Sequence, residues 1–114
     1  MNAHLVSTQR TVEMFLSSLA EHVGEPWTLE EMAGRCGLGR TSFTRYCQRL
    51  TNLSPHNYLT HCRIEAAKRL LKAQPRLSVL QVAMECGFQS SQYFATVFAQ
   101  ATTQTPNEFR EAKT

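Results

Sequence analysis

Apolar residues return at steps of three and four along nearly the whole chain, and no run of alternating apolar and polar positions competes with that period. "TVEMFLSSLAEHV" sets Val12, Phe15, Leu16, Leu19 and Val23 on one stripe, which predicts a first helix of roughly three turns before Gly24 and Pro26 interrupt it. "WTLEEMAGRC" restarts with Thr28 as N-cap and Glu31 three residues on, a pairing that lets two orphan amides be satisfied reciprocally; this short helix is expected to end at Gly37. Thr41 or Ser42 opens the next helix, with Phe43, Tyr46, Cys47 and Leu50 inward and Arg45 and Arg49, four apart, pointing elsewhere. In "SPHNYLTHCRIEAAKRLLKA" Ser54 is the N-cap and Pro55 the first helical residue. Tyr58, Leu59, Cys62, Ile64, Ala66, Ala67, Leu70 and Leu71 then leave room for about nineteen residues of helix before Pro75. Ser78 caps "VLQVAMEC" up to Gly87, Ser90 caps "SQYFATVFAQAT", and Thr105-Pro106 starts a short terminal helix, "NEFREA". The expected fold is all-α, with about seven helices.

The pattern also repeats. Ala33-x-x-Cys36-Gly37 recurs as Ala83-x-x-Cys86-Gly87 at an offset of 50, and Phe43 to Tyr58 recurs as Phe94 to Phe109 at 51, so the turn has gained one residue. Cys47 then matches Phe98, and Ser54-Pro55 matches Thr105-Pro106. Each copy is a short helix, a tight turn with Gly, and a second helix with an apolar inner and a polar outer face, which is the sequence form of a helix-turn-helix. Ala33 and Ala83 fit a close helix crossing, and Gly37 and Gly87 fit helix ends that need a left-handed residue. The organisation expected is a first helix-turn-helix subdomain over residues 10–53, a linking helix over 54–74 and a second subdomain over 75–112. The linking helix, about 28 Å long at 1.5 Å per residue, is comparable to the ~34 Å between successive major-groove faces of B-DNA.

Composition narrows the function classes. In a chain of 114 residues no stretch approaches the roughly 20 apolar residues of a membrane span, and "MNAHLVSTQR" lacks the apolar core of a signal peptide. The expected location is the cytoplasm, at the nucleoid. Cys36, Cys47, Cys62 and Cys86 include no C-x-x-C, so each is expected to be a small buried hydrophobe and not a zinc ligand or half of a disulfide. His4, His22, His56 and His61 share no ligand or triad spacing, and all nine acidic residues are Glu, which leaves a Ser/His/Asp triad without its Asp. The chain is expected to be no enzyme and to use no cofactor or metal.

The net charge of +3 is unevenly spread. Residues 1–77 hold ten Lys or Arg against six Glu, and residues 78–114 hold two against three, so a polyanion-binding footprint belongs mostly to the first part. "GFQSSQYFATVFAQATTQTPNEF", residues 87–109, has no Lys or Arg at all.

With the Arg that follows it, this second copy resembles the signature of the AraC/XylS family of bacterial transcription regulators: a Gly-Phe, a Ser, an aromatic pair, a Phe, and a Thr-Pro followed by an aromatic and Arg. The first copy and "RIEAAKRLL" are similar to the rest of that family's DNA-binding domain, over roughly residues 10–112. The resemblance implies two helix-turn-helix subdomains joined by a long helix and recognition helices in adjacent major grooves of double-stranded DNA. It further implies transcription regulation, most often activation through contact with RNA polymerase. The chain departs from the pattern where the family has Gly two residues before Ser/Thr-Pro: here stand Asn52 and Thr103. Asn tolerates a left-handed backbone and β-branched Thr does so poorly, so the turn at Thr103 is expected to be shaped differently. It departs again on the outer face of the second recognition helix, where many members are basic and this chain has Ser91, Gln92, Ala95, Thr96, Ala99 and Gln100.

The residues expected to touch bases are Thr41, Thr44 and Arg45 in the first copy and Ser91, Gln92 and Thr96 in the second. Arg45, aligned with a base-reading residue of the family, is placed on a guanine. Arg40, Arg49, Ser54, Gln89, Ser90 and Thr105 are expected at phosphates, the hydroxyl residues because helix N-termini offer unpaired amides to anions. Arg63, Arg69 and Lys72 are expected to pair with Glu65 and other local acids. Trp27, Phe43, Tyr58, Phe88, Phe94, Phe98 and Phe109 read as core and not as base-stacking platforms, with Phe88 holding the second turn against the linking helix. The expected partners are double-stranded DNA and RNA polymerase, with no membrane, and the segment is expected to be a monomer. The alternative is a helical adaptor, such as a polymerase-contacting module with little sequence-specific DNA binding. Salt-linked affinity for duplex DNA separates the two.

Overall fold

The computed structural model describes residues 3–112, and for residues 3–6 the backbone alone, so the side chain of His4 lies outside the described residues. All regular structure among the described residues is helical: α1 (Ala3–Leu19), α2 (Leu29–Arg35), α3 (Arg40–Thr51), α4 (Pro55–Ala73), α5 (Val79–Glu85), α6 (Ser91–Thr102) and α7 (Pro106–Glu111). Two compact units share them. The first holds the chain through His22 and Pro26–Thr60, and the second holds Val23–Glu25 and the chain from His61.

The first unit packs Val12, Leu16 and Leu19 of α1 against Met32, Ala33, Cys36, Phe43, Cys47 and Leu59. Where the second copy has Phe98, this one has the smaller Cys47, and α1 supplies an extra ring: Phe15 meets Phe43 at 6.0 Å and Trp27 at 5.5 Å between centroids. The Trp27 indole donates to the His22 carbonyl at 2.8 Å, and the Tyr58 hydroxyl donates to the Leu16 carbonyl at 3.1 Å, so the polar tips of both half-buried rings find partners. Tyr46 and Leu50, expected in the core, are half-buried against it.

The second unit packs Ile64, Ala67 and Leu71 of α4 with Val82, Ala83, Cys86, Phe88, Phe94 and Phe98. A chain of rings runs through it, Phe88 to Phe94 at 4.9 Å, Phe94 to Phe98 at 5.5 Å and Phe98 to Phe109 at 5.4 Å. Phe88 shares this core with the α4 residues, which is the placement the pattern implied for it.

The repeat extends to the backbone. Both α2 and α5 end in the paired hydrogen bonds of a Schellman motif: Leu38 N–H reaches the Ala33 carbonyl at 3.0 Å and Gly37 N–H that of Gly34 at 3.0 Å, while Phe88 reaches Ala83 at 2.9 Å and Gly87 reaches Met84 at 3.1 Å. Gly37 and Gly87 take the left-handed backbone at φ 70° and 91°. At Gly87 a methyl group would also lie 2.3 Å from the Val23 carbonyl oxygen, so no side chain fits there. Another shared device is built on Thr51 and Thr102, which match at the same offset of 51. Thr51 accepts from Leu53 N–H at 3.1 Å with its hydroxyl 2.7 Å from the Cys47 carbonyl, and Thr102 accepts from Gln104 N–H at 3.2 Å with its hydroxyl 2.8 Å from the Phe98 carbonyl. Each Thr thereby ties the end of α3 or α6 to the turn after it.

Several expectations need correction. The first helix begins at Ala3 and ends at Leu19: helix continues where no apolar stripe marks it, because nothing from Ala3 onward breaks it. Val23 lies beyond that helix and is buried with the second unit. Thr28 caps α2 by accepting from Glu31 N–H at 3.1 Å, but its hydroxyl donates to the Glu31 carboxylate at 3.1 Å, so the reciprocal bond is not made there. Complete capping boxes form instead at Ser78 with Gln81 and at Thr105 with Glu108. The third helix opens at Arg40 behind Gly39, which has no side chain to cap with, so neither Thr41 nor Ser42 is the N-cap.

The turn at Thr103 is not shaped differently: Asn52 and Thr103 both sit at φ 63° and ψ 14°. The same closing bond, Asn52 N–H to the Gln48 carbonyl and Thr103 N–H to that of Ala99, each at 2.8 Å, imposes the conformation on a residue that disfavours it. On α4, Lys68 is the partner of Glu65, at 2.7 Å. Arg63 instead donates to the Val23 and Glu25 carbonyls at 2.9 and 2.8 Å, and Lys72 donates to the Ala112 carbonyl at 2.5 Å. Both cations donate to backbone carbonyls and not to carboxylates.

Candidate nucleic-acid interface

The outward face of α3 is built by its inward one. Phe43 and Cys47 are fully buried, and this pins the helix in rotation and turns Thr41, Thr44, Arg45, Gln48 and Arg49 outward around one shallow, open depression. Four of these five were expected from the sequence. Gln48 was missed, although its place seven residues beyond Thr41 and four beyond Thr44 puts it on the same face. No acidic residue lines the depression. Arg45 is exposed and forms no ion pair or hydrogen bond among the described residues. Arg49 lies over the Tyr46 ring, 5.5 Å from its centroid, which steadies a long cation without neutralising it.

Arg40, one turn before Thr44, is occupied: its guanidinium pairs with the Glu30 carboxylate of α2 at 3.0 Å. The Glu30 carboxyl is held below its ordinary range, first by a backbone hydrogen bond at the start of α2 and then by Arg40. Both side chains are about two-thirds exposed, at 65% and 64%, so water screens the pair and a phosphate can displace the carboxylate.

On α6, Phe94 and Phe98 are fully buried and set the register, which matches that of α3 residue by residue. Gln92, Ala95, Thr96, Ala99 and Gln100 therefore occupy the positions of Thr41, Thr44, Arg45, Gln48 and Arg49. Gln92, Thr96 and Gln100 are exposed, and Ser91, Ala95 and Ala99 are half-exposed. The Thr96 hydroxyl donates to the Gln92 carbonyl at 3.1 Å, which leaves it as an acceptor toward a base. Ser90 caps α6 by accepting from Tyr93 N–H at 3.1 Å and retains a free O–H donor; Gln89 is exposed just before it.

The two remaining helix starts differ. Ser54 accepts from Asn57 N–H at 3.2 Å, and no acid stands in the first turn of α4. At α7, Thr105 accepts from Glu108 N–H at 3.1 Å while the Glu108 carboxylate accepts from Thr105 N–H at 2.8 Å. That carboxylate already takes the place an incoming anion would use, so Thr105 is the weaker phosphate position of the two. Among the described residues no group of His, Cys or Glu side chains could hold a metal ion, and no helix is long and apolar enough to cross a membrane.

Two helix-turn-helix units, each with a polar outer face on its second helix, define the class. Residues 32–112 match the family model described as a helix-turn-helix domain. The DNA-binding domain of AdpA, a global transcriptional factor solved in complex with a target DNA, is 29% identical with a TM-score of 0.82, covering 87% of this chain and 88% of that one. An AraC-type DNA-binding domain-containing regulator from Chromobacterium violaceum is 25% identical with a TM-score of 0.81, covering 92% and 93%. The transcriptional activator RhaS of Escherichia fergusonii is 29% identical over 107 residues, 94% of this chain and 38% of RhaS. The chain spans about a third of the length of the curated relatives it matches. It belongs to the AraC-type family of helix-turn-helix domains.

Proposed function

We propose that this chain binds double-stranded DNA sequence-specifically and regulates transcription, with α3 and α6 as recognition helices, one to a major groove. The observation that carries the reading is the α3 face: two arginines and three hydrogen-bonding side chains around one open depression without an acid. Arg45 takes a guanine O6/N7 edge while Thr41, Thr44 and Gln48 contact neighbouring bases. Arg49, the Ser54 helix start and Arg40, once released by Glu30, hold phosphates. On α6, Ser91, Gln92 and Thr96 face bases, with Gln89, Ser90 and Thr105 toward the backbone. The solved DNA complex of AdpA and the activator role in the name of RhaS support binding and activation, and contact with RNA polymerase is the route we propose for the latter. The segment acts at the nucleoid as a monomer.

Fluorescence anisotropy with a labelled random-sequence duplex across a range of salt tests the proposal. Neutralisation of two or three phosphates gives a log–log slope of about −2 to −3. On a preferred duplex, Arg45→Ala is expected to lose about 1–3 kcal/mol and with it the preference for guanine at one position. Affinity independent of salt, or none, defeats the proposal and leaves the adaptor reading.

A further inference from the structure

We infer that α6 reads A·T pairs, so that the DNA site is divided in base composition: a guanine-bearing block under α3 and an A·T block under α6. The inference rests on the proposed function and adds the chemistry of its second half. The residue-by-residue register of the two helices puts Gln92 where α3 has Thr41, Thr96 where it has Arg45 and Gln100 where it has Arg49. Every charge of the α3 face is thus replaced by an uncharged group. A carboxamide is the side chain that bonds adenine N6 and N7 together, as a guanidinium does guanine O6 and N7. Between the two glutamines lie Ala95, Thr96 and Ala99. The Thr96 hydroxyl donates to the Gln92 carbonyl, so toward a base it offers its methyl and an acceptor, which suits thymine's C5-methyl and adenine's N6 amino group. Methyl groups in the major groove match the C5-methyl of thymine, the partner of the adenine a glutamine reads. A guanine there would set two acceptors, O6 and N7, against a carboxamide built to meet one donor and one acceptor, and its cytosine would bring no methyl to the alanines.

The probes are duplexes selected by the protein from a random pool. Selection with wild type, Arg45→Ala and Gln92→Ala assigns the blocks: the α6 block is the one whose preference Gln92→Ala erases. Gln92 is exposed, and a wild-type melting curve verifies that the variant is folded. That block is expected to consist of A·T pairs. Replacing its thymines by deoxyuridine, which removes only the C5-methyl, is expected to weaken binding about threefold per contacted methyl, and the same change in the α3 block is expected to weaken it less. Replacing a pair in the α6 block by C·G is expected to cost about fivefold or more, and 5-methylcytosine to recover part of that loss. A block rich in G·C, or indifference to deoxyuridine while salt-linked binding to random duplex persists, overturns this inference and leaves the proposed function standing. Absence of binding to any duplex overturns both.

Discussion

Glu30 and Thr103 show most clearly how single side chains tune this domain. Glu30 presents Arg40 with a carboxylate at 3.0 Å, which would compete with the phosphate we propose for Arg40. The pair is exposed and contributes little to stability, and under the proposed function it opens when Arg40 takes a phosphate. Glu30→Gln is therefore expected to raise affinity for random duplex about two- to fivefold at low salt, read by anisotropy, and to leave the melting temperature nearly unchanged. Thr103 is β-branched in a left-handed conformation that its counterpart Asn52 adopts with little strain. Thr103→Asn should relieve about 1 kcal/mol of strain and raise the melting temperature by a few degrees. A melting temperature that falls would mean that the Thr103 hydroxyl, which donates to the Thr102 carbonyl at 2.5 Å, outweighs the strain.

At the level of elements, the two copies share helix lengths, Schellman endings and the Thr-anchored turn after each recognition helix, but they tolerate change differently. Gly37 and Gly87 both need the left-handed region, yet a methyl at Gly37 meets nothing within 4 Å while one at Gly87 meets the Val23 carbonyl and the Arg63 guanidinium. Gly37→Ala is expected to cost about 1–2 kcal/mol, the backbone penalty alone. Gly87→Ala must in addition push Val23 off Arg63 and is expected to cost clearly more, which paired denaturant titrations measure. Equal losses would show that the Val23–Glu25 segment yields freely. The difference was invisible in the sequence, where both glycines follow the same Ala-x-x-Cys.

For the molecule as a whole, charge and thiol chemistry follow from where the residues lie. The outer face of α3 holds two arginines and that of α6 none, so the positive charge of the two faces belongs to the first copy. All four cysteines are buried as thiols. Burial raises the thiols of Cys36 and Cys47, and raises Cys86 from 9.0 to about 11, with Glu85 a lesser cause. A group that binds its proton more tightly when folded stabilises the fold below its unfolded pKa and loses that contribution as pH rises through the folded value. Stability is accordingly expected to decline between about pH 9 and 11. At pH 8 a chromogenic thiol reagent is expected to label the native protein only at its opening rate and to label all four thiols at once in denaturant. Rapid labelling of the native state would contradict the burial of these side chains.

The sequence by itself determined the helical class, the doubling of the unit, the start and end of α4 and the outward set Thr41, Thr44, Arg45 and Arg49. All of these follow from a 3.6-residue period and local caps, which act over a few neighbouring positions. Only the tertiary structure decided that Arg40 faces Glu30, that Arg63 holds the backbone of Val23 and Glu25, that Glu108 closes the start of α7 and that Thr103 is forced into its turn. The first two join residues 10 to 40 positions apart, where no local period reaches. The last two turn on which of several competing hydrogen bonds a given backbone allows, and that choice exists only once the chain is folded.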